Sequence, residues 1–217
     1  MDYSLKEMRQ SLYTAVVCDA LDELGYRNQA PNLQLPCFTG VQELLVGRSK
    51  TTQWEDMDHE VPNPYELELK AVDECQEDHV FVASTGNSMR SAIWGELLTT
   101  AAMNRGCVGA IIDGAVRDIH KISEMNFPVY AQGSSPYDSQ NRQRVIAIDT
   151  QVEIGGVPIQ SGDLIFADQD GIVVVPQEIE AEAIKAAFAK VSGENRTRDA
   201  IRDGMSATEA YERFGIL

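Results

Sequence analysis

Residues 95–118, GELLTTAAMNRGCVGAIIDGAVRD, decide the fold of this chain. The first part, 95–105, places leucine and alanine side chains on one face of a helix that stops at the following glycine. Residues 108–112 are all apolar, as expected of a short strand that is covered on both faces. The Asp113-Gly114 pair then predicts a turn. The stretch therefore predicts a helix, a buried strand and a turn in close succession.

The flanking segments continue this rhythm. Residues 79–83, HVFVA, have the β-branched and aromatic character of a buried strand, and 127–131 predict another one. Between the strands at 108–112 and 127–131, a short helix is predicted from Arg117-Asp118 to about Asn126. A succession of strand, helix, strand, short helix and strand is typical of an α/β fold with parallel connections.

The rest of the chain predicts further elements around this centre. Strands are predicted at 38–46, 145–148, 152–154, 164–167 and 172–175, and helices at 11–24, 65–72, 179–192 and 196–217. A tight turn at Asp170-Gly171 joins the last two strands. The polar stretch 49–64, with its acidic loop 55–60, is interpreted as a surface excursion. Because no repeat or linker is visible, we interpret 1–217 as a single domain with a C-terminal helical extension at about 179–217.

Composition restricts the class of partner. The chain has 217 residues, with 18 basic and 34 acidic side chains and a formal net charge of −16. Such a field repels phosphate backbones and anionic membranes, so we expect neither a nucleic acid nor a membrane as partner. The four cysteines are isolated in the sequence, and the N-terminal segment has neither a signal-peptide core nor a membrane span. We therefore expect a cytoplasmic protein with reduced thiols.

Three side chains of the central stretch, Glu96, Arg117 and Asp118, could together bind a metal ion and an anionic substrate. Glu96 lies in the first turn of its predicted helix, where unpaired backbone N–H groups can bind a carboxylate oxygen. Arg117 offers a planar fork for a carboxylate or enolate, and Asp118 offers a hard oxygen ligand for Mg²⁺ or Mn²⁺. From spacing alone a second interpretation stays open, because glutamate is favoured at helix starts and Arg-Asp is a common solvated pair.

The same residues resemble a known family. The resemblance extends over GELL at 95–98, RGCVGAIIDGAVRD at 105–118, TAVVCDALDELG at 14–25, SGDLIFADQDGIVVVP at 161–176, ENRTR at 194–198 and GMSATEAYERFGIL at 204–217. These motifs are similar to the regulator of ribonuclease activity A-like (RraA-like) family, which includes 4-hydroxy-4-methyl-2-oxoglutarate aldolases. The resemblance implies a layered α/β/β/α sandwich of the swivelling phosphohistidine-domain type. It also implies a homotrimer or hexamer with active sites between subunits.

The resemblance further implies a metal site. The family's aldolases carry an acidic residue, twenty intervening positions and then Arg-Asp. Here Glu96 stands in place of the family's aspartate, and Arg117-Asp118 follows at the same spacing. By resemblance, Asp118 binds a divalent metal, Mg²⁺ or Mn²⁺, directly, and Glu96 binds it through water. Glu194 would reach the metal-bound water of a neighbouring subunit.

The implied function is a divalent-metal-dependent class II aldolase or decarboxylase. It would cleave a 4-hydroxy-2-oxo acid, such as 4-hydroxy-4-methyl-2-oxoglutarate, to pyruvate, with oxaloacetate decarboxylation as a side activity. The residues implied to bind the pyruvyl part are Gly95, Glu96, Leu97, Leu98 and Arg117, and those implied in catalysis are Arg117, Glu96 and Asp118.

Two alternatives remain open. The first is a non-catalytic regulator of ribonuclease E-type partners, although Lys121 and Ile122 stand where such regulators carry acidic residues. The second is an enzyme of the same fold that acts on a keto acid derived from a sugar acid.

Overall fold

A computed structural model describes residues 3–216. Its helices are α1 (Leu5–Ser11), α2 (Thr14–Glu23), α3 (Glu66–Asp73), α4 (Glu96–Asn104), α5 (Ile119–Glu124), α6 (Glu180–Arg202) and α7 (Ala207–Phe214). Its strands are β1 (Leu45–Asp56), β2 (His79–Ser84), β3 (Ala92–Trp94), β4 (Gly109–Val116), β5 (Val129–Ser134), β6 (Gln143–Ile148), β7 (Val152–Ile154), β8 (Val157–Ile159), β9 (Leu164–Ala167) and β10 (Ile172–Val175). Within the described part, no helix is long and apolar enough to cross a membrane.

One mixed sheet of eight strands organises the chain, in the order β10-β9-β1-β2-β4-β3, with β5 paired to β4 and β6 paired to β1. The pairs β1-β2, β2-β4, β3-β4 and β4-β5 are parallel, whereas β1-β6, β1-β9 and β9-β10 are antiparallel. Strands β7 and β8 form a separate hairpin. The predicted α/β class with parallel connections is therefore confirmed. The finer sandwich of the swivelling phosphohistidine-domain type stays a prediction.

Apolar side chains fill the space between the sheet and its covering elements in three clusters. Phe81, Trp94 and Ile112 belong to the cluster that includes residues of α3, α4 and α5. A second cluster contains side chains of α1, α2 and α6 and of β1, β9 and β10. The third joins β7 and β8 to the sheet and includes Ile111. Strand β4 is buried throughout because the first and third clusters lie on its opposite faces.

The largest difference between the predicted and the observed structure lies in the stretch of residues 49–64. Its first half is no surface excursion, because β1 runs for 12 residues through the middle of the sheet and contains Glu55 and Asp56 of the predicted acidic loop. The polar side chains at 49–52 of β1 are buried with partners: the Thr52 hydroxyl donates to the carbonyl of Val82 at 3.1 Å and accepts from Trp54 Nε1 at 2.9 Å. Because these groups are satisfied internally, a polar composition is compatible with a central strand.

Other boundaries also differ from the predictions. The strand predicted at 38–46 begins only at Leu45, and Asp113-Gly114 lies inside β4 instead of forming a turn. The helix predicted at 11–24 begins at Thr14. The C-terminal pattern divides later than predicted, because α6 continues to Arg202 before a break that contains Gly204 at a φ of 103°. The strands at 79–83, 164–167 and 172–175 and the helices at 65–72 and 95–105 are confirmed within a few residues.

Candidate functional site

The candidate site lies where two parallel strands end. Strand β3 ends at Trp94, and β4 ends at Val116, which is its register partner. The following residues, Gly95 and Arg117, therefore emerge side by side, and the Arg117 N–H donates to the carbonyl of Trp94 at 2.9 Å. Each strand is followed by a short helix, α4 or α5, so that two helix starts meet at this edge. Ligand sites in α/β sheets are typically located at such carboxyl ends.

Asp118 is fixed by its backbone and by a neighbouring amide. It adopts the left-handed conformation, with a φ of 57°, immediately before α5. Its Oδ2 accepts a hydrogen bond from the backbone N–H of Glu96 at 3.2 Å. A Cβ on Gly95 would lie 2.7 Å from the same oxygen, so the close approach requires glycine at this position. The carboxylate of Asp118 is 40% exposed and thus accessible to a ligand.

Arg117 bridges two carboxylates. Its Nη2 lies 2.6 Å from Asp138 Oδ2, and its Nε lies 3.8 Å from Asp118 Oδ2. Asp138 also accepts from the hydroxyl of Tyr65 at 2.5 Å and from the N–H of Gln140 at 2.8 Å. Although burial opposes ionisation of Asp138, these hydrogen bonds and the guanidinium hold its pKa below the usual range. Arg117 is thereby held in place over a fixed anion.

A cavity of about 280 Å³ opens beside these residues. Its lining contains Tyr65, Glu68, Leu69, Ala92, Ile93, Trp94, Gly95, Leu97, Leu98, Arg117, Asp118, Asp138 and Ser139. The predicted residues Gly95, Leu97, Leu98, Arg117 and Asp118 thus lie around one space. Glu96 is joined to it through the contact of its N–H with Asp118. The carboxylate of Glu96 is 3.4 Å from the hydroxyl of Thr100, one turn further along α4.

Glu194 lies elsewhere in the chain. It belongs to α6, and its carboxylate accepts a hydrogen bond from the hydroxyl of Tyr13 and lies 3.6 Å from Arg198. Burial and the hydrogen bond to Glu194 raise the pKa of Tyr13 to about 12. Of the described residues, those lining the cavity do not include Glu194, so the structure of one chain does not bring it to Asp118.

Sequence reasoning missed Glu68, the most buried acidic residue of the cavity. Its exposed fraction is 5%, and its Oε2 accepts from the Ser139 hydroxyl at 3.4 Å. Burial and the negative charge of Asp138 raise the pKa of Glu68 to about 8, against smaller opposing effects of Ser139 and Arg117. The carboxyl group is therefore protonated at neutral pH. Its spacing in the sequence could have indicated burial, because Glu68, Ala71 and Val72 lie three and four residues apart and share the buried face of α3.

The raised pKa of Glu68 predicts a pH-dependent stability. An unfolded glutamate ionises near pH 4.5, so between pH 4.5 and about 8 the folded protein binds a proton that the unfolded chain lacks. The contribution to stability is complete below pH 4.5 and decreases as the pH rises to about 8. We expect Glu68→Gln to remove this dependence. Urea unfolding at pH 5 and pH 8 should show the wild type losing about 1–4 kcal/mol relative to the variant. Parallel pH profiles of the two proteins would contradict the assignment.

The described residues are compatible with a divalent cation at Asp118. They contain no group of three or more histidine, cysteine, aspartate or glutamate side chains that could hold a metal ion. A cation at Asp118 would therefore depend on water and substrate oxygens for its other ligands. This arrangement is ordinary for Mg²⁺, which keeps several waters and binds proteins through one or two carboxylates. Asp118 fits that role, because only its Oδ2 accepts a hydrogen bond within the described part of the chain.

Comparison with known proteins gives consistent matches. A sequence model of the RraA-like family, described as Aldolase/RraA, matches residues 14–174. A Halalkalibacterium halodurans protein named "Putative 4-hydroxy-4-methyl-2-oxoglutarate aldolase" is 30% identical over 202 residues, which cover 93% of this chain and 90% of that protein. Protein DlpA of Legionella pneumophila is 27% identical over 93% of this chain, which spans only 32% of DlpA.

A solved structure shows the same fold. Streptomyces coelicolor RraAS2, described as an unusual member of the RNase ES inhibitor RraA protein family, superposes with a TM-score of 0.78. The sequence identity is 27%, and the match covers 91% of this chain and 98% of RraAS2. The family match spans Gly95, Arg117 and Asp118, which the structure brings together at one cavity. The chain belongs to the RraA-like family.

Proposed function

We propose that this chain is a divalent-metal-dependent class II aldolase or decarboxylase that cleaves a 4-hydroxy-2-oxo acid to pyruvate. The observation that carries the proposal is the fixed position of Asp118, held by the Glu96 amide over Gly95 and next to Arg117. A carboxylate so placed supplies a metal ligand, and the adjacent guanidinium supplies an anchor for a carboxylate or enolate. The name of the H. halodurans relative supports the same reaction.

The charges around the cavity support a cation in the reaction. Among the described lining residues Arg117 is the one basic side chain, and it faces the carboxylates of Asp118 and Asp138. An anionic 2-oxo acid would meet net negative charge there unless a divalent cation accompanied it. When bound, Mg²⁺ or Mn²⁺ would supply a positive charge to the keto oxygen, where negative charge develops as the carbon-carbon bond breaks. Asp118 would be its direct ligand from this chain.

Arg117 and the start of α4 would hold the pyruvyl part of the substrate. Nη2 of Arg117 is committed to Asp138, and Nη1 has no partner among residues 3–216, so it is available for a carboxylate oxygen. The Glu96 N–H already donates to Asp118, but the N–H groups of Leu97 and Leu98 in the same first turn of α4 have no partner within the helix, and their partial positive charge favours an anion. In cleavage, the bond from C3 to C4 breaks, the C4 hydroxyl becomes a carbonyl, and the electron pair forms the pyruvate enolate.

Two proton transfers complete the reaction. A base must take the proton of the C4 hydroxyl, and an acid must protonate C3 of the enolate. We assign Glu96 to hold the water that takes the proton of the C4 hydroxyl and returns a proton to C3. The carboxylate of Glu96 lies at the start of α4, directly beside the backbone amide that binds Asp118. The hydroxyl of Thr100 lies within 3.4 Å of that carboxylate and restricts its orientation.

An assembly of several copies is part of the proposal. In a homotrimer or hexamer, Glu194 of one copy would approach the cavity of the next and add a second acidic group to the water network. Leu69 and Leu97, which line the cavity, are 53% and 76% exposed in the single chain, and a neighbouring copy would cover such apolar surface.

The Gly95→Ala variant tests the close approach at the site. A Cβ would fall 2.7 Å from Asp118 Oδ2, so the carboxylate must move away from the Glu96 amide. The backbone of Gly95 is extended, with a φ of −157°, and alanine adopts this conformation without strain. We therefore expect the thermal midpoint to change little and kcat/KM for pyruvate release to fall at least about tenfold. An unchanged kcat/KM would show that the position of the Asp118 carboxylate is not needed for the reaction.

Pyruvate release tests the proposed function. The full chain would be assayed with oxaloacetate and with several 4-hydroxy-2-oxo acids, in Mg²⁺, in Mn²⁺ and then in EDTA, with pyruvate detected by coupled NADH oxidation. We expect release that depends on the metal and stops with EDTA. Release that is indifferent to EDTA would overturn the metal requirement, and no release from any substrate by folded, metal-supplied protein would overturn the proposed chemistry.

A second function is supported by the similarity to Streptomyces coelicolor RraAS2. Its description suggests that this chain could bind and inhibit a ribonuclease. Such a role needs a docking surface for the ribonuclease, and we assign the cavity no part in it. The two functions separate in one comparison, because Arg117→Lys should impair pyruvate release and leave inhibition of an RNase E-type enzyme intact. Inhibition without any pyruvate release would favour the regulator.

A further inference from the structure

The end of the cavity beyond Arg117 is lined by two carboxyl groups on different elements. Glu68 comes from α3, and Asp138 comes from the segment between β5 and β6. Tyr65 and Ser139 lie next to them and bring hydroxyl groups, which bond to Asp138 and Glu68 respectively. Of these four residues only Asp138 contacts a group assigned to the pyruvyl end, because it pairs with Arg117. We call them the distal group.

The two carboxyl groups of the distal group differ in charge. Asp138 is ionised, because it receives hydrogen bonds from Tyr65, Gln140 and Arg117 that outweigh the effect of burial on its pKa. From the described residues Glu68 receives a single side-chain hydrogen bond, the 3.4 Å contact from Ser139, and it is buried beside the charge of Asp138, so it is protonated at neutral pH. The distal group therefore presents one anion, one neutral acid with a proton to donate, and two hydroxyls.

The distal group offers no cation to a second substrate carboxylate. Arg117 is the one basic side chain among the described lining residues, and its charge is shared between Asp118 and Asp138. Arg142 is not among the described lining residues; its guanidinium lies 4.9 Å above the ring of Tyr137, and its Nη1 donates to the carbonyl of Asp138 at 3.1 Å. A carboxylate at the far end of the substrate would thus face Asp138 without compensation.

Hydroxyl groups fit the same surroundings well. A hydroxyl can donate to the Asp138 carboxylate and accept from the Glu68 acid, which satisfies groups on both sides. Hydrogen bonds to an ionised acceptor are stronger than those between neutral groups, and a site built for hydroxyls discriminates strongly against substrates that lack them.

We propose that the distal group selects 2-oxo acids whose far end is uncharged and hydroxylated, and that Glu68 is the specificity-determining residue. The inference rests on the proposed function, because it names the substrate class of the same site. The substrates it favours are 3-deoxy-2-oxo sugar acids of five or six carbons, in which the head resembles pyruvate and the tail carries hydroxyls. The dicarboxylate 4-hydroxy-4-methyl-2-oxoglutarate becomes a poor substrate.

Three substrates with the same 4-hydroxy-2-oxo head test the preference. The full chain with Mg²⁺ would be given a 3-deoxy-2-oxo hexonic acid, 4-hydroxy-2-oxopentanoate with its methyl end, and 4-hydroxy-4-methyl-2-oxoglutarate. We expect kcat/KM for the hydroxylated substrate to exceed that for the dicarboxylate at least tenfold. Equal values, or a preference for the dicarboxylate, would overturn the inference.

Variants of Glu68 assign the preference to that residue. Glu68→Gln keeps a neutral hydrogen-bonding group of the same size, so the ratio of kcat/KM between the hydroxylated and methyl substrates should stay within threefold. Glu68→Leu removes the hydrogen bonds and should lower this ratio at least tenfold. Glu66→Leu, at an exposed position of the same helix, is the matched control and should leave the ratio unchanged. An unchanged ratio in Glu68→Leu, with both substrates slowed equally, would contradict the role of Glu68.

Exchange of pyruvate protons separates this inference from the proposed function. Pyruvate has only the head, so metal-dependent exchange of its C3 protons for deuterium reports on enolate formation without a substrate tail at the distal group. Exchange together with no cleavage of the hydroxylated substrate would overturn the inference and leave the proposed function in place. No exchange and no cleavage would overturn both.

Discussion

Replacement of Asp118 by asparagine should lower kcat/KM for pyruvate release at least about a thousandfold, because it removes the proposed direct ligand of the divalent cation. The amide oxygen of asparagine can still accept from the Glu96 N–H, which lies 3.2 Å from Asp118 Oδ2. Asparagine also tolerates the left-handed backbone of this position, with its φ of 57°. The variant should therefore fold normally, whereas Asp118→Ala would add a backbone cost of about 1–2 kcal/mol.

A direct measurement of metal binding shows whether Asp118→Asn loses activity because it no longer binds the cation. Titration calorimetry with Mn²⁺ should show a weaker or absent binding event in Asp118→Asn, together with unchanged thermal unfolding of the metal-free protein. Glu124→Gln is a suitable control, since Glu124 ends α5 and its carboxylate is 70% exposed beside His120. An Asp118→Asn protein with wild-type turnover would remove Asp118 from the mechanism.

Arg117→Lys should have the second-largest effect, a fall in kcat/KM of about a hundredfold. Arg117 spans Asp118 and Asp138 with different nitrogens of one planar group, and a free terminal nitrogen remains for the substrate. A lysine ammonium keeps the charge but is a single point, so it can pair with Asp138 only by giving up the substrate or Asp118. The loss should appear for every 2-oxo acid, whatever its tail, because the guanidinium is proposed to bind the pyruvyl end.

The control for Arg117 is another arginine paired with an aspartate. Arg105 lies 3.4 Å from Asp73, and both side chains are more than half exposed. Arg105→Lys should leave kcat/KM within twofold of the wild type, since exposed ion pairs contribute little. An Arg117→Lys enzyme that behaves like this control would show that the fork of Arg117 binds no substrate.

The sequence predicted the central elements because their apolar patterns are strong. Strands β2, β4, β9 and β10 have mostly buried side chains, and glycines or turns bound the helices between them. Their order along the chain was sufficient to bring Arg117 and Asp118 to the carboxyl end of β4. Gly95 lies beside these two residues because it follows β3, which pairs with β4. Strand β3 was not predicted, since it is only three residues long.

Other features depend on contacts distant in sequence. Strand β1 was missed beyond Val46 because its polar side chains, such as Lys50 with Glu74 and Asp149, have partners that lie far along the chain. Asp138 belongs to a connecting segment, and its pairing with Arg117 becomes evident only in three dimensions. The sequence contains one signal for Glu68, because a carboxyl group is placed there on the apolar face of α3. Its protonation could not be predicted, since it depends on how deeply Glu68 is buried beside Asp138.

The most direct test of the central claim is deuterium exchange at C3 of pyruvate, followed by proton NMR in D₂O. In the proposed mechanism this exchange requires Asp118, Arg117 and a divalent cation at the pyruvyl end and is independent of the rest of the substrate. We predict rapid exchange by the wild type with Mg²⁺ or Mn²⁺, loss of exchange with EDTA, and no exchange above background in Asp118→Asn. Exchange at the wild-type rate in that variant, or no exchange by the folded wild type with metal, would contradict the account.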